Sequence, residues 1–132
     1  MPTRYLASLF GLLAFSSCSL GTTVAPVLLV AEASEVSMAA KVEGTVTIAE
    51  NGCFLLDTMP LVWPPGSSLS GTEVVLADGR RVSVGERVSG GGGFLPSGAA
   101  VSLLDEDSRT RATECIGTAT GEVAILQVTV EE

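Results

Sequence analysis

A chain of 132 residues that sets 15 acidic side chains against seven basic ones carries a formal charge of −8 and has no histidine. The acidic balance repels phosphate backbones and excludes nucleic acid as a partner. Without imidazole there is no Ser-His-Asp or Cys-His catalysis and no His-ligated zinc, and Lys41 is the one lysine left for a Ser-Lys dyad.

The N-terminal stretch reads as an export leader. Arg4 supplies a short positive region, and residues 5–15 (YLASLFGLLAF) supply an apolar core of signal-peptide length, too short to span a bilayer. Phe15, Ser16, Ser17 and Cys18 follow. That run resembles the processing site of bacterial lipoproteins, where the cysteine is lipidated and becomes the new N-terminus. Phe15 stands where those proteins usually carry Leu. The resemblance implies a signal peptide over residues 1–17, lipidation at Cys18, a lipid-anchored linker over 18–34 and a folded domain over 35–132.

Two other readings of the leader stay open. Ala31-Glu32-Ala33 is an A-x-A-like site, and an ordinary signal peptidase cutting after Ala33 would yield a secreted or periplasmic protein. The same stretch can also stay as an uncleaved helix, although its serines, threonines and Pro26 make a poor span. All three readings put the body outside the cytoplasm. Residues 24–30 are too apolar for a purely solvated tether and are expected to pack on the domain.

The body reads as β-structure. Val36, Met38, Ala40, Val42, Gly44, Val46 and Ile48 alternate with mostly polar neighbours, the period of a half-buried strand, and Gly44 is the natural place for it to bend. Asn51-Gly52 predicts a tight hairpin with positive φ at both central positions, returning through residues 53–56. Residues 61–63 form a short strand that Pro64-Pro65-Gly66 stops, and residues 67–71 form a small-polar loop. Asp78-Gly79 predicts a second hairpin between residues 72–76 and 81–84, with Val74, Leu76, Val82 and Val84 inward. Residues 99–104 are a candidate strand, and Asp105, Glu106, Asp107 and Ser108 an acidic surface turn. In the last strand, residues 122–130, Ala124, Leu126, Val128 and Val130 alternate with Ile125, Gln127 and Thr129.

Of the three cysteines, one belongs to the leader, which leaves Cys53 and Cys115 as an even pair in an exported protein. A disulfide is the default expectation, and closing so long a loop is worth about 4 kcal/mol by chain entropy. Five to seven short strands with regular turns predict an all-β fold, a small antiparallel barrel. A long bent first strand serving both halves makes that barrel OB-like.

Several blocks carry a second resemblance: residues 51–56 (NGCFLL), 60–66 (PLVWPPG), 74–79 (VVLADG) and 84–92 (VGERVSGGG), together with the late Cys115. They look like a group of small exported proteins of actinobacteria. The resemblance implies a β-rich domain and no particular activity or catalytic residue.

Five residues are candidates for binding. Gly91 and Gly92, within the run Gly90 to Gly93, can cradle an anion with successive N–H groups, against the plainer reading of a turning loop. Trp63 beside Pro64-Pro65 can form a stacking platform for a sugar ring or an extended peptide, against a place in the core. Arg80 and Arg81 follow a hairpin turn, where one can take a ligand carboxylate and the other a surface partner. Asp105, Glu106 and Asp107 lack the spacing of a calcium loop and read as a solvated turn.

These features predict a non-catalytic module of the cell envelope. It would be anchored to a membrane by lipid and would bind or assemble with an envelope protein or cell-wall component, with no cofactor and no metal. The alternatives are a secreted hydrolase using acidic residues and a structural accessory subunit without a ligand.

Overall fold

The computed structural model describes residues 25–34, 37–116 and 121–129, so the leader, Cys18 and Val36 lie outside the described residues. The alternating first segment forms β1 (Ala40–Ile48). Val42 and Val46 are buried in it, while Ile48 at its end is exposed. At Gly44 a Cβ would stand 2.6 Å from Asp57 Oδ2. A methyl there would displace the Asp57 carboxylate and crowd Leu56, where the strand passes the turn between β2 (Phe54–Leu56) and β3 (Met59–Val62). Asp57 takes a φ of 55° in that turn, and its Oδ1 accepts from the Thr45 N–H at 3.0 Å.

Both hairpin signals form turns, but of another type than expected. Gly52 N–H donates to Ala49 O at 2.9 Å, Ala49 N–H donates to Cys53 O at 2.8 Å, and Gly52 alone takes the left-handed conformation. The Leu76 to Arg80 loop repeats the same two bonds around Gly79. Each is a three-residue loop closed by a glycine bulge, which needs positive φ at one position only.

The small-polar loop after Pro65 carries a strand, β4 (Ser68–Ser70), which pairs with β5 (Glu73–Val75) and through it with β6 (Arg81–Val82). Val74, Leu76 and Val82 are buried as expected, but Val84 is exposed, because the chain turns away at Gly85.

The remaining strands, β7 (Arg87–Pro96) and β8 (Glu122–Thr129), close a barrel in the order β1-β2-β3-β8-β7. It is mixed rather than wholly antiparallel, since β3 and β8 pair in parallel. A parallel pair needs a long crossover, and here the β4–β6 sheet, β7 and two helices supply it. The glycine run is neither loop nor anion cradle: all four glycines lie inside β7. A Cβ at Gly90 would fall 1.8 Å from Val128 O, and one at Gly92 would fall 1.8 Å from Ile125 O. Any other residue would push β8 away.

Residues 99–104 are not a strand. They fall in α1 (Ser97–Val101) and the turn after it, and α2 (Glu106–Cys115) follows. The expected acidic surface turn is the start of α2, where Asp105 Oδ1 accepts from the Ser108 N–H at 2.8 Å and caps the helix. Glu106 and Asp107 in the first turn complement the helix dipole.

Two hydrophobic clusters result. Val42, Val46, Leu61, Trp63, Ala124 and Leu126 fill the barrel interior, and the small sheet adds Val74, Leu76 and Val82. A second cluster lies outside the wall, where Val62, Val123 and Ile125 meet Leu104, Ala112 and Ile116 from the helical region. Residues 27–31 serve both. Leu28 and Val30 join the interior, and Val27, Leu29 and Ala31 join the outer cluster. This strap bridges to Cys53 and Trp63 on one side and to Leu104 on the other. The expected linker over 18–34 thus contains five core residues.

Cys53 and Cys115 form a disulfide across a sequence separation of 62, tying the start of β2 to the end of α2. Such a bond points to folding in an oxidising, extracytoplasmic space. Among the described residues no helix is long and apolar enough to cross a membrane.

Replacing both cysteines by alanine should lower stability by about 4 kcal/mol in urea unfolding, given the length of the closed loop. Gly92→Ala should cost about 3 kcal/mol by overpacking, because its new methyl meets a backbone carbonyl. Gly91→Ala should cost clearly less, since its methyl would meet only the Val128 side chain, at 3.3 Å.

Candidate functional site

The register of β7 against β8 slips between Gly91, opposite Val128, and Gly92, opposite Leu126. Gln127 is the extra residue, so β8 carries a bulge there. Bulges re-aim side chains and recur beside functional sites. Gln127 Oε1 accepts the Met38 N–H at 2.6 Å, which ties the bulge to the approach to β1. The neighbouring Val128 is 57 % exposed, although Ala124 and Leu126, with which it alternates, are fully buried.

Three hollows meet at the bulge. The largest, about 270 Å³, lies between Pro64-Pro65, the Leu76 to Arg80 hairpin loop and residues 127–129. A more apolar one of about 170 Å³ is walled by Met38, Leu95, Leu103 and Ile125. The third, about 140 Å³, joins Ser37 and Pro65 to Val128. Gln127 borders all three, which makes them one row along the bulged strand. Each is smaller than a pocket that encloses a small-molecule ligand. As a shallow groove, the row suits side chains of an extended segment.

Two chain features build its walls. Pro64-Pro65-Gly66 turns sharply after β3, held by the Ser67 hydroxyl donating to Pro64 O at 2.7 Å. Opposite it, the Arg80 side chain is held between two residues, Asp78 and Thr129. Its Nε donates to Asp78 Oδ2 at 2.7 Å, and a guanidinium N–H reaches Thr129 O at 3.3 Å and also Thr129 Oγ1. Asp78 Oδ1 accepts the Arg80 backbone N–H at 2.9 Å. That backbone bond, followed by the side-chain bond, holds the Asp78 carboxyl below its ordinary value. Asp78 therefore stays ionised as a counter-ion for Arg80.

The sequence candidates separate. Arg80 lies in the groove wall. Gly91 pairs with Val128, the residue exposed beside the groove, and Gly92 is buried beneath the bulge. Arg81 sits apart on the small sheet, bonded to Ser70 at 3.2 Å and to Glu73 at 3.3 Å. Trp63 is no platform: it is 0 % exposed and packs edge-on to Phe54, with ring centroids 5.8 Å apart. It alternates inward from β3 into the barrel, and a ring without solvent surface cannot stack on a ligand. Among the described residues its Nε1 has no hydrogen-bond partner.

Among the described residues no three His, Cys, Asp or Glu side chains gather as a metal group. Asp105 is engaged as a helix cap, and Glu32 pairs with Arg109 at 3.3 Å. Gln127 and Val128, central to the groove, were not singled out from the sequence, where regular alternation hid the slip in register. No protein family, curated protein or solved structure matches this chain.

The Asp78–Arg80 pair gives a pH prediction. Because the folded-state pKa is depressed, the pair's contribution is present above the ordinary value of 3.8 and is lost as pH falls through the lower folded value. Carboxylate-detected NMR should place the Asp78 midpoint below 3.8, and Arg80→Ala should move it back up.

Proposed function

We propose that this chain is an exported, non-catalytic binding or assembly module of the cell envelope. Lipid at Cys18 anchors it, and its partner, an envelope protein or cell-wall component, docks along the groove at the Gln127 bulge. The groove is the observation that carries the reading. Its floor is largely apolar, and an exposed Val128 and a pre-oriented Arg80 lie beside it, a combination suited to an extended chain bearing an acidic group. The Cys53–Cys115 disulfide supports the extracytoplasmic address. The Phe15 to Cys18 run supports the lipid anchor, and the blocks that resemble small exported proteins of actinobacteria agree with the same address.

The barrel itself is read as OB-like. Support comes from five strands, a long bent first strand that pairs on both sides, and closure by a parallel pair of the third and last barrel strands. OB barrels bind oligonucleotides on the face of strands two and three with the flanking loops. Here the strap pairs beside those strands and α2 is stapled to them, so the groove takes the place of that face. The acidic surface fits a partner other than nucleic acid.

A photo-crosslinker at Val128 should capture a defined envelope partner in intact cells. Arg80→Ala should cut the yield at least severalfold while the melting temperature stays within a few degrees. A crosslinker at exposed Ile48 serves as the control site. Equal capture from both positions, or capture indifferent to Arg80, would exclude the groove.

A further inference from the structure

Residues 27–31 are held into the domain along their whole length. Their five side chains are all buried, with exposures between 2 % and 8 %. The backbone is bonded along both edges. Val27 N–H donates to Gly52 O at 2.8 Å, Trp63 N–H to Leu29 O at 2.8 Å and Ala31 N–H to Trp63 O at 2.9 Å. On the other edge, Asp105 N–H donates to Val30 O at 2.9 Å, Glu32 N–H to Leu103 O at 2.7 Å, and Val30 N–H to the buried Ser108 hydroxyl at 2.8 Å. Removing the strap would open both hydrophobic clusters and strip the backbone groups of Trp63, Leu103 and Asp105 and the buried Ser108 hydroxyl of these partners.

We propose that maturation cuts this chain upstream of Val27, and that the A-x-A-like site ending at Ala33 is structural rather than a processing site. In the cut, water hydrolyses one peptide bond, which releases the leader and gives the domain a new N-terminus ahead of the strap. The Ala31-Glu32-Ala33 sequence is explained without a peptidase. Ala31 is small because it packs in the outer cluster, and Glu32 is outside because it alternates with Ala31 and pairs with Arg109. The inference rests on the export reading but not on lipid at Cys18.

The test is the intact mass of the protein recovered from the envelope, with two chains refolded under oxidising conditions for comparison, one beginning at Ser19 and one at Ser34. The recovered protein should have lost the apolar run of residues 5–15 and begin no later than Val27, and a recovered chain that keeps that run overturns the proposal. The Ser19 chain should unfold in one cooperative transition, and the Ser34 chain should show none. A native N-terminus at Ser34, or a Ser34 chain that melts within a few degrees of the longer one, overturns the proposal. A native N-terminus ahead of Val27 that carries no lipid upholds it and removes only the anchor at Cys18.

Discussion

The parallel pairing of β3 with β8 is the constraint on which the rest depends. A wall with strands buried on both faces must be covered inside and out. Leu61 in β3 and Trp63 just past its end alternate with Val62, and Ala124 and Leu126 alternate with Val123 and Ile125 along β8. The inner faces meet in the barrel. The outer faces need a second layer, and a domain this short has little chain left to make one. The strap and α2 supply it, and the disulfide fixes α2 to the start of β2. The two hydrophobic clusters and the covalent closure are thus one solution to one burial problem.

The same economy explains the glycines. Two long strands, β7 and β8, pair along most of their length, with β7 also paired to β1, and they approach so closely that Gly90 and Gly92 have no room for a methyl. Close approach and the bulge occur together, because the slip that inserts Gln127 lies between Gly91 and Gly92. The slip turns Val128 outward and brings Gln127 to the Met38 amide. The candidate groove is therefore a consequence of how the barrel closes rather than a feature added to a finished wall.

What the sequence made legible follows the physics of local pattern. Period-two alternation located β1 and β8, glycine after Asn51 and Asp78 located both hairpins, and parity of cysteines gave the disulfide. Residues 99–104 misled because apolar and small residues there pack one side of a short helix, and a run that brief does not separate the two periods. The glycine run misled because four glycines signal freedom when read alone, whereas here each is fixed by a partner strand. Trp63 could be core or platform on composition, and only the alternation of β3 against a closed wall decides it. Gln127 was illegible since a bulge is a property of two strands together.

The strap also joins the two ends of this arrangement. Val27 joins the barrel at Gly52, beside Asn51, whose side-chain amide donates to Glu114 O at 2.9 Å. The strap then runs four residues, about 13 Å in extended chain, to Ala31, which borders the hollows beside Gln127. The disulfide end of the domain and the groove thus lie at opposite ends of one segment, and because that segment belongs to both hydrophobic clusters, neither end can shift without disturbing the packing that holds the other.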